Sequence, residues 1–404
     1  MKVEIDKIKQ ILIYAMLFFA SMNFAAKFFY FAFASLIIIM LFQRKLMANA
    51  TTLVYLALGG LMALYNSPEG VLSMIRCFAY VALYVVGINM TTVRADKRAL
   101  MFDYEHNEVE KIGYTIIAVV SAGSFTHYFL NFITNISGIT GRNTTDIWSG
   151  ETMAATGQST LACLMLGFSV SIILLSTSKW VRFIGIASVF IMLWYNLVLA
   201  GRTMIVILLV LFVVGILYTR KALDNSFERL KLLIGISSVV LFVSLIFAFN
   251  IGGLRDMMFS SNLFGRFESS FASLTEDALR ATGKLSFLGD FFKYPFGGLN
   301  MRDKYGYAHD LLLDGYDEYG LFGLILLVAI LVLGIVEVYK LLSRTTYHHA
   351  FKLGVLLIYI AMLLQFLVEP ILAGMPWLFT CFSLINGVVA GMNMSYSRNE
   401  SELS

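Results

Sequence analysis

About twelve long apolar runs, separated by short polar segments, follow one another along the chain. A helix needs about 20 mostly apolar residues to cross the hydrocarbon core of a bilayer, and slightly fewer at the short limit. The runs occupy residues 10–25, 28–42, 51–65, 71–90, 112–134, 159–176, 180–199, 203–218, 232–250, 319–339, 353–370 and 375–394. The first two are either separate helices joined by a turn over Asn23 to Lys27 or one bent segment. The pattern predicts an all-α polytopic membrane protein with about twelve transmembrane helices.

The composition excludes an ordinary soluble domain. Of the 404 residues, 59% are hydrophobic and 14% are charged, whereas soluble proteins carry roughly a quarter charged residues. The three cysteines, Cys77, Cys163 and Cys381, lie in apolar stretches without metal-ligand spacing, so we interpret them as packing residues. We expect a single membrane domain over residues 1–404 that uses no metal or other cofactor and binds no nucleic acid.

Connecting segments rich in lysine and arginine alternate along the chain with segments that have few basic residues. This alternation predicts on which side of the membrane each segment lies. The basic segments hold Lys2, Lys7, Lys9, Arg44, Lys45, Arg94, Lys97, Arg98, Lys111, Lys179, Arg182, Arg220, Lys221, Arg229, Lys231, Lys340, Arg344, Lys352 and Arg398. The short segments between them are nearly free of basic residues, and such bias marks the cytoplasmic side. We therefore predict that both termini are cytoplasmic.

Two segments on the opposite, extracytoplasmic side are long. Residues 135–158 are rich in Thr, Asn and Gly and include Arg142. Residues 251–318 form the longest predicted loop, and apolar residues recur at helical spacing within 266–293. We expect that amphipathic stretch to lie along the membrane interface. Basic and acidic residues are nearly balanced in the long loop, so anion binding there would depend on particular arginines.

Three places in these outer segments carry residues suited to chemistry. Arg202 lies in a tight break, Ala200-Gly201-Arg202-Thr203, and begins the next predicted helix, whose free amides favour an anion. Snorkelling to the interface is the alternative role for Arg202. Arg266 follows Gly265 early in the long loop, where it either binds an anion or faces solvent. His309 lies close to the membrane surface and is either a structural hydrogen-bonding group or a general base that Asp310 or Asp317 would orient.

The order of these features resembles the O-antigen ligase and polymerase superfamily. The matching features are an Arg at a short outer turn, a long outer loop opening with Gly-Arg, then YPFGGL and AHDLLLDGYDEYGLFGLI. That group contains the lipopolysaccharide O-antigen ligases and the Wzy-type polysaccharide polymerases. The resemblance in topology spans the whole chain, and the motifs cover residues 200–203 and 263–323. In this chain Asp310 stands where members often have Asn, and neither Arg142 nor Arg266 is followed by Gly at the ten-residue spacing of some polymerase loops.

The resemblance implies a membrane-embedded, GT-C-like polyprenyl-phosphosugar glycosyltransferase of the bacterial cytoplasmic membrane, acting at its periplasmic or outer face. The donor would be an undecaprenyl-diphosphate-linked glycan. Arg202 and Arg266 would hold the diphosphate, and His309 would activate or position the acceptor hydroxyl together with Asp310. Arg142, Arg302 and Asp317 are further substrate-binding candidates. The expected partners are the lipid-linked oligosaccharide, membrane lipid, a chain-length regulator and a flippase.

Four functions remain open at this point. A polymerase would extend a lipid-linked repeat unit of an O-antigen or capsular polysaccharide, whereas a ligase would transfer the glycan to lipid A–core. A flippase or other transporter would make no glycosidic bond, and such proteins usually contain paired internal repeats, which this sequence does not show. A non-catalytic scaffold would leave the Arg and His residues without a role. We favour the polymerase.

Overall fold

The computed structural model describes residues 2–43, 45–92, 102–135, 143–199, 201–222, 296 and 310–403. These residues are mostly helical. The α-helices are α1 (Lys2–Ser21), α2 (Phe28–Phe42), α3 (Ala50–Tyr65), α4 (Val71–Arg76), α5 (Ala79–Thr91), α6 (Phe102–Asn135), α7 (Ala155–Leu175), α8 (Lys179–Val198), α9 (Thr203–Ala222), α10 (Leu311–Ser343), α11 (His349–Phe366), α12 (Ile371–Gly374) and α13 (Pro376–Leu403). Two short strands, β1 (Asn143–Thr145) and β2 (Thr152–Ala154), lie between α6 and α7.

Eight helical segments of the described chain are long and apolar enough to cross a membrane. They are Val71–Thr91, Glu108–Asn135, Ala155–Leu175, Lys179–Val198, Thr203–Ala222, Leu311–Ser343, His349–Phe366 and Pro376–Tyr396. Each matches one predicted span, so a mostly helical, multi-pass architecture is confirmed. The predicted spans 28–42 and 51–65 form shorter apolar helices, and α1 carries charged residues in its first half. The span predicted over 232–250 lies outside the described residues.

The first two predicted segments are separate helices joined by a tight turn. Helix α1 ends at Ser21, a 3-10 turn covers Phe24–Ala26, and α2 begins at Phe28. Asn23 and Ala25 adopt left-handed backbone angles, with φ of 48° and 52°. Such angles reverse the chain direction at a conformational cost for residues that are not glycine. The two helices therefore form a hairpin, and the single bent segment is excluded.

Helices α7 and α13 lie at the centre of the bundle. In the apolar stretch of each helix that could cross a membrane, 83% of α7 and 94% of α13 is buried, whereas only 28% of α10 is buried. A helix that is apolar on every side can be buried among other helices or face lipid, and its burial separates the two cases. Helix α13 packs most closely on α5: an added Cβ at Gly87 would lie 2.5 Å from the Leu384 carbonyl oxygen. Contact between backbones at this crossing thus requires small residues.

Four local features differ from the sequence prediction. The span 71–90 is broken between α4 and α5 at Cys77 and Phe78. Helix α10 begins at Leu311, so the last eight residues of the predicted loop 251–318 are helical, because Asp310 caps them. Gly320, with φ of 67°, then breaks α10 just inside its predicted membrane span. Finally, the predicted polar loop 135–158 contains the β-hairpin, a small departure from the all-α expectation.

The glycine crossing generates a test of the fold. We expect Gly87→Leu to destabilise the protein by more than about 3 kcal/mol, because the new side chain meets the backbone of α13 rather than a movable side chain. Thermal unfolding of the purified protein in detergent measures the effect. Gly60→Leu is the matched control, since an added Cβ there meets no atom within 4 Å. Equal unfolding temperatures for the two variants would contradict this crossing.

Candidate functional site

A β-hairpin returns the chain onto the end of α6. Strand β1 pairs antiparallel with β2, with Thr144 opposite Met153. Asn135, the last residue of α6, accepts a hydrogen bond from the Thr145 amide at 2.9 Å and donates one to the Thr145 carbonyl at 2.9 Å. Gly150 turns the chain between the strands with φ of 72°. These bonds fix where the residue after β1, Asp146, lies relative to α6.

Asp146 joins the hairpin to α6 through both carboxylate oxygens. Its Oδ2 accepts hydrogen bonds from the backbone amides of Trp148 and Ser149, at 3.2 and 3.0 Å. Its Oδ1 lies 3.1 Å from Nδ2 of Asn131 and 2.6 Å from Nε2 of His127. Both of these partners belong to α6, one turn apart, so they present their polar atoms on the same face.

The His127–Asp146 pair is buried. The two residues are 1% and 4% exposed. Burial acts to raise the pKa of the Asp146 carboxyl, but hydrogen bonds from His127, Asn131 and the Ser149 amide, together with the charge of His127, outweigh it. The net result is a pKa below the usual range of an aspartate, so Asp146 is ionised at neutral pH.

The ionised carboxylate determines which ring nitrogen of His127 carries a proton. Because a carboxylate only accepts hydrogen bonds, Nε2 must donate to Asp146. Nδ1 has no hydrogen-bond partner among the described residues. Among the described residues, hydrogen bonding therefore occupies one nitrogen of this buried imidazole and leaves the other without a partner.

His127 and Asp146 line a cavity of about 760 Å³. Its wall comes from connections at one end of the bundle, which we call the cavity end. They are the α1–α2 turn, the α3–α4 connection, the β-hairpin, the first turns of α10 and the α11–α13 connection. Several aromatic rings contribute to the wall, including Tyr80, Tyr319 and Trp377. Segments far apart in the sequence thus combine to form one concave site.

Among the described residues that line this cavity, more carry a carboxyl group than a basic group. The described lining residues with carboxyl groups are Glu69, Asp146, Glu151, Glu318 and Glu369. Arg76 is the one described lining residue with a permanent positive charge.

Arg76 reaches the cavity because the predicted fourth span is broken. It is the last residue of α4, and the chain passes through Cys77 and Phe78 before α5 begins. Its guanidinium carbon lies 4.9 Å from the centre of the Phe29 ring, in a cation–π contact with α2. The contact holds the side chain at the cavity end without neutralising its charge.

The structure describes three of the predicted site residues, and none of the three lines the cavity. Arg202 is half-buried and precedes α9, where its carbonyl accepts a hydrogen bond from the Val206 amide at 3.2 Å. Asp310 caps α10: its Oδ1 accepts from the amides of Leu312 and Leu313, at 2.9 and 3.3 Å. Asp317 is half-buried in α10, beside the lining residue Glu318.

The remaining predicted site residues lie outside the described residues. They are Arg142, Arg266, Arg302 and His309. The predicted meeting of Arg202, Arg266 and His309 therefore stays a prediction. The predicted motif region reaches the cavity through its C-terminal part, because Glu318 and Tyr319 of DGYDEYG line the wall.

Sequence reasoning did not identify His127, Asp146 or Arg76. His127 and Arg76 lie within apolar runs, where an ionisable residue is by itself a signal of function. Asp146 lies nineteen residues from its partner, a separation set by the hairpin and not by a helical repeat. Glu369, which the sequence analysis also did not identify, is 8% exposed and lines the cavity.

Comparison with known proteins adds no family assignment. No protein-family model matches the chain, and no curated protein matches it in sequence.

The hydrogen bonds of Asp146 generate a stability prediction. We expect Asp146→Asn to lower the free energy of unfolding by roughly 2–3 kcal/mol at pH 7, because an amide donor replaces an acceptor that faces several donors. A depressed pKa contributes stability above the unfolded-state pKa that is lost as pH falls through the folded-state pKa. The difference between wild type and variant should therefore shrink below about pH 4.

Thermal unfolding in detergent at pH 7 and at about pH 2.5, below the unfolded-state pKa of an aspartate, measures this difference. Glu151→Gln is the control, because it neutralises an exposed carboxylate on the same hairpin. We expect that control to change stability by less than about 0.5 kcal/mol. An Asp146→Asn protein as stable as the control at pH 7 would show that the pair does not hold the hairpin.

Proposed function

We propose that the protein is a metal-independent glycosyltransferase that polymerises an O-antigen or capsular polysaccharide. Its donor is an undecaprenyl-diphosphate-linked glycan, and its acceptor is a sugar hydroxyl of a second lipid-linked repeat unit. The observation that carries the proposal is the cavity, because Glu318 and Tyr319 of the family-like motif form part of its wall. A volume of about 760 Å³ accommodates a small oligosaccharide.

The distribution of basic residues supports an extracytoplasmic position for the cavity. Described Lys and Arg residues at the opposite end of the bundle include Lys45, Lys111, Lys179, Arg182, Arg220, Lys221, Lys340, Arg344 and Lys352. The cavity end has only Lys27, Arg76 and Arg202 among the described residues. Basic segments stay in the cytoplasm, so the proposed orientation places the cavity at the outer face of the cytoplasmic membrane. Polyprenyl-linked sugars are exposed at that outer face once they have been flipped across the membrane.

The proposed reaction uses two arginines to stabilise the leaving group and a histidine as the general base. The acceptor oxygen forms a bond to the anomeric carbon of the donor, and the bond from that carbon to the diphosphate oxygen breaks. The diphosphate leaves with the electron pair, stabilised by Arg202 and Arg266. The hydroxyl proton passes to His309. Arg76 is the one arginine among the described lining residues of the cavity, so the proposal assigns the diphosphate to Arg202 and Arg266.

Purified protein in lipid nanodiscs, given undecaprenyl-diphosphate repeat units from its own host, tests the proposal. Wild type should produce a ladder of glycosidically linked repeats. Arg202→Ala, Arg266→Ala and His309→Ala should each lower the rate about 100-fold or more, because each removes charge stabilisation or proton transfer in the transition state. Gel electrophoresis and mass spectrometry of the lipid-linked products report the outcome.

The control and the acceptor distinguish the alternatives. Arg220→Ala removes an arginine at the opposite end of the bundle and should keep the wild-type rate. Transfer only to added lipid A–core would identify a ligase in place of a polymerase. No new glycosidic bond with wild type and either acceptor would overturn the enzyme proposal and favour a flippase.

A further inference from the structure

Arg76 is a cation at the cavity wall that the proposed reaction does not use. The residue is exposed, and its guanidinium carbon lies 4.9 Å from the centre of the Phe29 ring. Within the part of the chain that the structure describes, no carboxylate forms an ion pair with this guanidinium. The aromatic contact holds the group in place, and its N–H donors remain able to bind an anion in a planar fork.

The carboxyl groups of the wall have partners of their own. Both oxygens of Asp146 accept hydrogen bonds from α6 or from the hairpin. Glu69 accepts a hydrogen bond from Ser73 Oγ at 2.6 Å, and Glu318 and Glu369 each interact with other groups. Carboxylates that are compensated by donors oppose a bound anion less than isolated carboxylates would.

The start of α2 adds positive potential beside Arg76. Phe29, which contacts the guanidinium, is the second residue of this helix. Lys27 is its N-cap residue, is exposed, and lies between the cavity-lining residues Ala26 and Phe28. No side chain caps α2, and its first turn contains no acidic residue. A lysine at the positive end of a helix dipole is unfavourable, and an anion bound between it and the guanidinium would compensate both.

Arg76 also lies where an apolar outer surface meets the cavity. Val71, Leu72 and Ile75 of the same short helix, α4, are 71%, 44% and 44% exposed. Exposed apolar residues of this kind suit contact with lipid in a membrane protein. In a lipid-linked glycan the phosphate groups join the lipid chain to the sugars. A residue that binds those phosphates therefore has to lie between a lipid-facing surface and a space for the glycan, and Arg76 does so.

We propose that Arg76, with Lys27 beside it, binds the diphosphate of the acceptor, the second lipid-linked repeat unit. Both substrates of the proposed reaction carry a diphosphate, and that of the donor is assigned to Arg202 and Arg266. The acceptor's diphosphate stays intact, so Arg76 binds it equally in the ground state and the transition state. Arg76 is thus a substrate-binding residue and not a catalytic one. This assignment rests on the proposed glycosyltransferase function and adds where the acceptor's charge is held.

Two acceptors that differ only in the diphosphate test the assignment. One is the host's undecaprenyl-diphosphate repeat unit, and the other carries the same glycan and lipid joined directly by a glycosidic bond. The donor is a lipid-linked unit whose own acceptor hydroxyl has been removed, so it cannot be extended. We expect Arg76→Ala to raise the KM of the diphosphate acceptor about tenfold with kcat unchanged, and to leave the KM of the other acceptor as in wild type.

The conservative variant and two contrary outcomes make this test decisive. Arg76→Lys should give an intermediate KM, because it keeps the charge and loses the planar fork. Arg76 is exposed, so neither substitution disturbs packing in the core. A lower kcat with an unchanged KM would assign Arg76 to the leaving group of the donor and overturn the proposal. An unchanged KM and kcat would overturn it as well.

Equilibrium binding separates this subsite from the enzyme proposal and identifies the source of the phosphate. Native mass spectrometry of the full chain in phosphatidylcholine nanodiscs counts the bound undecaprenyl diphosphate molecules. We expect Arg76→Ala to bind one fewer than wild type, and Arg220→Ala, at the opposite end of the bundle, to bind as wild type does. Displacement by an equal concentration of phosphatidylglycerol would identify a phospholipid headgroup site and overturn the acceptor assignment.

The binding and turnover results fail in different ways. Wild-type protein that makes polymer, with the same lipid binding in Arg76→Ala, would overturn the subsite and leave the enzyme proposal standing. Binding of undecaprenyl diphosphate that depends on Arg76, without any glycosidic bond formation, would support a lipid diphosphate site and overturn the enzyme proposal.

Discussion

The hydrocarbon core of a membrane cannot hydrogen-bond to the backbone, and this constraint shapes every described element of the protein. Each amide and carbonyl at membrane depth must find its partner within its own helix. The apolar runs therefore become helices, and irregular backbone is concentrated at their ends. Helices α5 and α13 then approach until their backbones touch at Gly87, because small residues remove the side chains that would separate them.

The same constraint concentrates the chemistry at the ends of the helices. At the cavity end, breaks in the helices bring polar residues to a common space: Arg76 at the end of α4, and Glu318 just before the break at Gly320. The β-hairpin contributes Asp146, which is anchored to α6 through His127 and Asn131. Buried charge is tolerated there because each oxygen of Asp146 has hydrogen-bond donors.

Apolar run length predicted the spanning helices because the energy of inserting a helix into lipid is a sum over its own residues. The turn between α1 and α2 and the start of α9 after Arg202 were also readable, since each has a local polar break. The early start of α10 could not be predicted in this way. It depends on the carboxylate of Asp310, which caps the helix within a segment whose composition is typical of a loop. The break at Gly320 has no sequence signal beyond the glycine itself.

The site was harder to predict than the fold for a related reason. Arg202 is at the expected turn, but the carboxyl-rich wall and the His127–Asp146 pair arise from tertiary contacts between distant segments. The register of the hairpin decides that Asp146, and not a neighbouring polar residue, meets α6. No periodicity in the sequence predicts that register. The position of His127 within an apolar run, in contrast, was itself an indication of a functional residue.

The described residues of the cavity wall come from segments that are spread over most of the chain, from the α1–α2 turn to the start of α13. No contiguous segment contains the site. A chimaera that exchanged only the β-hairpin between α6 and α7 with another membrane protein would import one part of the wall and keep the rest of the host's wall. Exchanging a single segment would therefore not transfer the ligand preference of the cavity. We expect that preference to evolve by point substitutions in several segments of the chain.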